Sequence, residues 1–413
     1  MKITIIGGGV IGLCSAYYLQ KEGFEVTVID RGGLTDGCSF GNMGYMSPSH
    51  FIPLASPGII AEGLRYMLSS NSPFYIKPRL NIDLLKWGYH FWKNSRAKNA
   101  EKNAPHLSAL LLLSRNLVNE MRDEIGDVFD MEEKGCLMMC RQQKTLEQEF
   151  YLADDAEKFG LNVVRLNAQE VQELEPDIAL NVAGAVLFKD DCHFNPEKMM
   201  GALHRYLANS GVKFQLNTCV TGFEISHHTI TAVITDKGKF DVQQLVLAAG
   251  SWLPVLSKMM GIKLLLQAGK GYSYTYPFIE RNIKYPAIMV DGRCAITPWG
   301  NQLRIGGTME LSGINHKVII ERMKGIYSAA RNFYPGLKID MPPADKIWCG
   351  LRPVTPDGLP YIGKVSGYPN LLIAGGHAML GISEGTGTGK LVSELLRNKK
   401  TTLDMHAFNP LRY

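Results

Sequence analysis

A chain that opens Lys2-Ile-Thr-Ile-Ile6, turns through Gly7-Gly-Gly-Val-Ile-Gly12 and continues with helical apolar spacing to Lys21 has few ways to fold. The β-branched run predicts a strand, and Gly23 stops the helix. Phe24 to Ile29 predicts a second strand, which ends at Asp30. This is a β-α-β unit with Gly7, Gly9 and Gly12 in the Gly-x-Gly-x-x-Gly positions. Glycines there let the backbone approach a pyrophosphate, the start of the helix around Val10 and Ile11 offers N–H donors, and Asp30 can accept from a ribose hydroxyl. Dinucleotide binding follows from the strand, the turn, the helix and the acid together, not from the glycines alone.

The same features dispose of a signal-peptide reading of Met1 to Leu19, because three consecutive glycines interrupt the apolar run. At 413 residues there is enough chain for two domains, each with its own core. A net charge of +5, from 44 basic and 39 acidic residues, is too weak and too evenly spread to argue for nucleic acid. The eight cysteines form no paired framework, and Cys136 with Cys140 lacks the second ligand pair of a zinc site, so buried thiols in a reducing cytosol and no metal are expected. Leu110 to Leu113 and Leu264 to Leu266 are far shorter than a membrane span.

Along the chain, Gly32 to Gly63 is rich in Gly, Ser and Pro and reads as an extended loop region. From Ala61 to Ile125 apolar residues recur at helical spacing, with Leu84, Leu85, Gly88, Phe91 and Trp92 on one side of a helix. Trp87, Tyr89, Phe91 and Trp92 make that helix aromatic-rich. Core packing is the default reading, and docking onto a membrane surface or an electron-acceptor partner is the sharper one. Strands and short helices alternate from Gly135 to Phe194, and Asn195 caps a helix from Pro196 to Ser210. Phe214 to Leu247 is strand-like and runs into Leu247-Ala-Ala-Gly-Ser-Trp252. Strands return from Lys263 to Thr308, followed by a helix from Lys317 to Phe333 and a final strand-to-helix unit from Leu371 to Leu396.

These elements predict an α/β protein with a Rossmann-like dinucleotide domain assembled from residues 1–60, 190–262 and 342–413. Residues 61–189 and 263–341 form a second, α+β domain with a mixed or antiparallel sheet and a helical insertion. Gly7 to Asp30 alone does not separate NAD from FAD. The far end of the chain does, because a second glycine-rich strand-to-helix junction, Ala374 to Gly389, is superfluous for a nicotinamide domain. A flavin collects negative charge along its pyrimidine edge on reduction, and a helix N-terminus aimed there stabilises it.

An ordered set of motifs runs the length of the chain: Gly7 to Gly12 with Val28-Ile-Asp30, Ser39-Phe-Gly-Asn-Met-Gly44 with Ser47-Pro48, Ile76-Lys-Pro-Arg-Leu80, and Asp191-Cys-His-Phe194. It continues with Leu247-Ala-Ala-Gly250, Lys270-Gly-Tyr-Ser273, Gly307-Thr-Met-Glu310, and Gly350-Leu-Arg-Pro-Val-Thr-Pro-Asp-Gly358 followed by Gly376-His377 and Leu380-Gly381. In these the sequence resembles the D-amino-acid oxidase superfamily of flavoproteins, and within it the bacterial D-amino-acid dehydrogenases and the flavin subunits of D-hydroxyproline dehydrogenases. The resemblance implies FAD with its pyrophosphate on Gly7, Gly9 and Gly12 and its adenosine ribose on Asp30. Ser39, Asn42 and Gly44 would follow the pyrophosphate and flavin, Val220 would offer backbone to the adenine, and Ala249 and Gly250 would pack beside the cofactor. Gly376, His377, Leu380 and Gly381 would approach the pyrimidine, and Arg31, Met46 and Trp252 flank these positions as further candidates. In sarcosine oxidases a cysteine upstream of a Thr-Pro-Asp triplet carries the flavin covalently, but Gly350 stands there in this chain and Cys349 is one residue off. The cofactor is therefore expected to be held without a covalent bond.

Arg352 would bind the substrate carboxylate, since its planar fork suits bidentate pairing. The bland alternative is a solvent-facing arginine or a salt bridge to Asp357. Tyr272 and Tyr274 are two apart on a strand and share a face, so either could donate to the same carboxylate, although a strand tyrosine more often packs. His50 is a candidate pocket residue. His377 reads first as a histidine that holds its loop, because hydride abstraction from a neutral amine needs no protein base. The expected reaction is oxidation of a small amino acid, of D configuration and alanine-like or proline-like, with electrons passed to a quinone or another non-oxygen acceptor. A glycine or sarcosine oxidase, and a flavin subunit inside a larger electron-transfer complex, are the rivals. The chain is expected in the cytoplasm, free or peripheral on the inner membrane.

Overall fold

In the computed structural model, which describes residues 1–66, 72–126 and 128–413, the strand Lys2–Ile6 lies inside a six-stranded sheet. It pairs in parallel with Glu25–Ile29 on one side and Gln244–Leu247 on the other. Lys213–Gln215 and Tyr368–Gly375 extend the parallel set, and Tyr361–Val365 closes one edge antiparallel. Parallel neighbours need a crossover, and Val10–Lys21 supplies the first. That helix is buried from Val10 through Leu19 because a second helix, Gly381–Leu396, packs along it. Cβ atoms built on Gly385 and Gly389 would meet Val10 and Cys14, so glycine brings the two helix backbones together.

The other large sheet has nine strands and is mixed. Gln267–Tyr276 pairs antiparallel with Gln302–Leu311 and with Trp348–Val354. Ala287–Met289 pairs parallel with Cys136–Cys140, and Phe74–Ile76 pairs parallel with Gln302–Leu311. One face packs under the helix Ile320–Phe333, where Tyr272, Tyr276, Ile305, Met323 and Phe333 share a core. The Rossmann-like sheet and the mixed second sheet are thus both present, and a small antiparallel sheet from Val220–Ser226, Thr229–Thr235 and Gly238–Asp241 accompanies them.

Several elements differ from the sequence reading. Trp348–Val354 falls within the C-terminal cofactor segment by sequence, yet its hydrogen bonds run to Gln267–Tyr276 in the second sheet. The helix Ala97–Ile125 was assigned to the insertion, but Leu107, Leu110, Leu111, Val118 and Met121 enter the core of the first sheet against Gly381–Leu396. Between the helices Ile59–Tyr66 and Ile82–Asn94 lies the short strand Phe74–Ile76, where continuous helical spacing was expected. The part of that expectation on residues 67–71 lies outside the described residues. In Ile82–Asn94 the inward face is Leu84, Trp87 and Phe91, whereas Leu85 and Trp92 point outward with Tyr89. Trp87 decides the rotation, since its indole N–H donates to the carbonyl of Val354 at 2.9 Å.

The helix pair predicts a sharp size limit. At Gly389 a Cβ would lie 2.5 Å from the backbone oxygen of Cys14, and backbone cannot swing aside. Gly389→Ala should therefore destabilise by roughly 1–3 kcal/mol through overpacking, exceeding the gain of about 1 kcal/mol in helix propensity. Gly33→Ala, which meets nothing within 4 Å, serves as the control. Thermal unfolding with equal Tm values for the two variants would contradict this.

Candidate functional site

The turn after the first strand opens onto a cavity lined by Gly7, Gly9, Val10, Ile11, Asp30, Arg31, Ser39, Asn42, Val220, Ala249, Gly250, Trp252, His377 and Gly381. Its floor is shaped by backbone. Gly7 has φ +109°, and a Cβ there would meet the Ala248 oxygen at 2.4 Å; a Cβ on Gly12 would meet the Gly7 oxygen at 1.8 Å. Gly12 thus acts through close strand-to-helix packing and does not itself line the cavity. The helix that starts at Val10 has no side-chain cap and no acid in its first turn, so its leading N–H groups and positive dipole end face the cavity. Val10 N–H donates to Ser39 Oγ at 3.0 Å. Asp30 accepts from the N–H groups of Gly8 at 2.6 Å and Gly32 at 2.7 Å, which fixes its carboxylate at the end of the second strand.

The last helix, Gly381–Leu396, also begins at this cavity without a side-chain cap, with Gly381 and Ile382 on the wall. Two uncapped helix starts, a glycine floor and a fixed carboxylate fit FAD: donors for a pyrophosphate, an acceptor for a ribose, and a dipole for an electron-rich ring edge. His377 sits between them with Nε2 at 2.9 Å from Thr388 Oγ1. Burial pushes its pKa down to about 3, so it stays neutral and holds its loop.

Besides Gly12, four cofactor candidates do not line the cavity. Met46 is fully buried in the core of the first sheet. Gly44, at φ +78°, lets the chain pass the carbonyl of Phe194, and its N–H donates to Asn42 Oδ1. Gly376, at φ +88°, packs against Thr355, and Leu380 is the N-cap position of the last helix. Each shapes the wall from behind.

On the second sheet, Arg352 pairs with Gly269, and its guanidinium lies flat over Gly271: a Cβ there would be 2.4 Å from Cζ. One N–H donates to the carbonyl of Thr308, whose backbone is held at φ +68°. Among the described residues no carboxylate pairs with Arg352, and burial lowers its pKa. Asp357 is taken by Arg412 at 2.7 and 2.9 Å, which removes the salt-bridge reading. Arg352 is half-buried and does not itself line the cavity, although its strand neighbours Gly350, Leu351 and Pro353 do, and its unused N–H groups suit an anion brought from outside the protein.

The tyrosines are not beside it. Strand alternation that turns Gly269 and Gly271 toward Arg352 turns Tyr272 and Tyr274 to the opposite face. Tyr272 OH donates to Glu310 Oε2 at 2.7 Å, and Tyr274 packs edge-on to Tyr276 at 4.8 Å. Their shared face is correct as expected; it faces the core, so neither is a carboxylate donor. His50 is likewise held elsewhere, with Nδ1 at 3.0 Å from Ser49 Oγ, which donates to Asp191 at 2.6 Å. Burial depresses the imidazole to about 4. Sequence reasoning missed Thr308 and His316, the latter on the cavity wall. Gly269 and Gly271, alternating within a strand, were the available signal of a side chain laid across it.

Burial raises Asp191 from 3.8 to about 7 despite its bonds from Ser49. The folded state then holds this proton more tightly than the unfolded chain, so stability falls as pH rises from about 4 to about 7 and levels off above. Asp191→Asn should flatten that decline in Tm between pH 5 and pH 8; an unchanged slope would assign it to other groups.

Residues 2–395 match the profile of the FAD dependent oxidoreductase family. A D-amino acid dehydrogenase of Granulibacter bethesdensis is 32% identical over 416 residues, covering 98% of this chain and 97% of that protein. One from Helicobacter pylori is 32% identical over 396 residues, covering 95% and 94%. Among solved structures, glycine oxidase from Geobacillus kaustophilus superposes with a TM-score of 0.79 at 23% identity over 100% and 98% of the two chains. L-proline dehydrogenase from P. horikoshii superposes at 0.78 with 21% identity over 100% and 97%.

Proposed function

The chain belongs to the FAD-dependent oxidoreductase family, and on that premise we propose that it is an amino-acid dehydrogenase acting on a small α-amino acid of D configuration. The observation that carries this reading is Arg352, a half-buried guanidinium that no protein carboxylate among the described residues pairs with, on the strand whose Gly350, Leu351 and Pro353 line the dinucleotide cavity. The D-amino acid dehydrogenases, at 32% identity over nearly the full length, support the configuration and the class of substrate.

Bound FAD supplies the two-electron acceptor for the hydride that leaves the substrate Cα. The protein's part is orientation. Arg352, pinned through Thr308 and flat over Gly271, presents two parallel N–H groups that fix the carboxylate and hence the direction of the Cα–H bond. His377, neutral at working pH, holds the segment opposite rather than taking a proton. The amine lone pair completes the C=N bond, and the imino acid then adds water to give an oxo acid and ammonia, or remains a cyclic imine if the substrate is a proline. Cys349 lies on the far face of its strand with Sγ donating to the carbonyl of His316, which supports a non-covalent cofactor. Residues 1–60, 190–262 and 342–413 are proposed as the cofactor domain and the remainder as the substrate domain, except that Trp348–Val354 pairs into the second sheet and Ala97–Ile125 packs in the core of the first.

Arg352→Ala should leave FAD binding intact and reduce kcat/KM for amino acids by about 30- to 1000-fold, the loss of one charge-assisted bidentate contact. Arg352→Lys should fall between, because a point charge positions a carboxylate without orienting it. Stopped-flow flavin reduction under anaerobic conditions measures this, and wild-type rates in Arg352→Ala would make the residue structural. With oxygen present, stoichiometric hydrogen peroxide would place the protein with the oxidases.

A quinone acceptor dissolved in a bilayer is favoured by one surface. Ile82, Leu85, Tyr89 and Trp92 form an outward apolar stripe on their helix, continued by exposed Leu80 and flanked by Lys86 and Lys93. Among the described residues no helix is long and apolar enough to cross a membrane, so this face would lie on the bilayer. The protein should sediment with phosphatidylglycerol vesicles, and the double variant Leu85→Glu, Trp92→Glu should stay in the supernatant. Equal sedimentation of both would refute this docking.

A further inference from the structure

The loop of residues 312–319, between the strand Gln302–Leu311 and the helix Ile320–Phe333, reaches from the second sheet to the wall of the dinucleotide cavity. It is held by a buried ammonium. Lys270, 1% exposed, directs its Nζ to Asn315 Oδ1 at 2.8 Å, the carbonyl of Lys317 at 2.7 Å and Glu310 Oε1 at 3.0 Å. Those three contacts use all three of its donors. Glu310, equally buried, takes the Tyr272 hydroxyl with its other oxygen. Burying such a pair costs desolvation that hydrophobic packing would not incur, so its return lies in what it positions. Two of the three contacts go to the loop.

Within the loop, Asn315 Nδ2 donates to Ser312 and Gly313, and Lys317 N–H returns to Asn315 Oδ1. Cys349 Sγ donates to the carbonyl of His316 at 3.2 Å, tying the tip to the strand that carries Gly350 and Leu351 along the cavity. The result is a stack across two sheets. The His316 ring lies 14° from parallel to the Trp252 ring with centroids 6.2 Å apart, and the Arg31 guanidinium lies over the Trp252 ring at 3.6 Å. All three line the cavity beside Asp30 and Val220.

We propose that residues 312–319 form a strap across the adenosine end of the FAD site, with His316 as a further cofactor-binding residue and Lys270 with Glu310 as its buried anchor. The inference rests on FAD binding but not on the identity of the amino acid. His316 and Trp252 offer π-faces and Arg31 a planar cation, groups suited to an adenine ring. Lys270 acts through the loop and is a positioning residue.

The test measures FAD release by the recovery of free-flavin fluorescence, together with trypsin cleavage after Lys317. His316→Ala, at an exposed loop tip, should release FAD about three- to tenfold faster, in line with the loss of one aromatic contact. Lys270→Met should do the same, and the double variant should match Lys270→Met alone because both act through one strap. Saturating FAD should slow cleavage after Lys317 in wild type and not in Lys270→Met. If Lys270→Met does not fold, His316→Ala and the wild-type cleavage comparison decide the matter. FAD release from His316→Ala at the wild-type rate, or equal cleavage of apo and loaded wild type, overturns the strap. Failure of every amino acid to reduce the flavin would instead sink the proposed substrate class and leave these readouts standing.

Discussion

The carbonyl oxygen of Gly7 occupies the space where a side chain on Gly12 would begin, and much of the cofactor site depends on that contact. It brings the first strand and first helix together so closely that the helix start is aimed over the end of the sheet. The same economy of side chains recurs where Gly385 and Gly389 let the last helix lie against the first. Two helix N-termini then open at one cavity without capping side chains, leaving their leading amides to a ligand. A Rossmann crossover alone would supply one such end; the glycine-packed pair supplies the second.

The substrate side obeys a different constraint, the two-fold alternation of a strand. Gln267–Tyr276 separates two environments by one residue's step. Lys270, Tyr272 and Tyr276 go to the core side, where a charge is tolerable only because Glu310 and the loop carbonyls satisfy it. Gly269 and Gly271 go to the other side and leave room for Met309 and Arg352 to lie across them. The guanidinium there meets the carbonyl of Thr308 rather than a carboxylate. One strand therefore serves both the interior of its own sheet and the bed on which Arg352 lies.

The sequence carried the cofactor site because its determinants are local. Gly7 through Asp30 form one continuous β-α-β unit, and the glycines, the helix start and the acid have fixed spacing along it. The same holds for Asn195, whose side chain accepts from Glu197 and Lys198 as an N-cap should. Arg352 is singled out by its motif and not by its surroundings, since no spacing in the chain shows that Asp357 is already claimed by Arg412 at the C-terminus. For the same reason the sequence does not show that Tyr272 is engaged by Glu310, Tyr274 by Tyr276 and His50 by Ser49. Periodicity states that two residues share a face, but which face meets the site is set by the partner that packs on the other.

By itself, then, the amino-acid order determined the first crossover, the dinucleotide cradle and the alternation of the strands, all of which arise from backbone geometry within some thirty residues. The tertiary structure decided which face of Gln267–Tyr276 carries Arg352, to which sheet Trp348–Val354 belongs, and which way the helix Ile82–Asn94 turns its aromatics. It also decided that the loop at 312–319 meets Trp252. These depend on contacts between segments far apart in the chain, whose free energy comes from shared burial and from polar groups satisfied across sheets, and no local pattern encodes the partner.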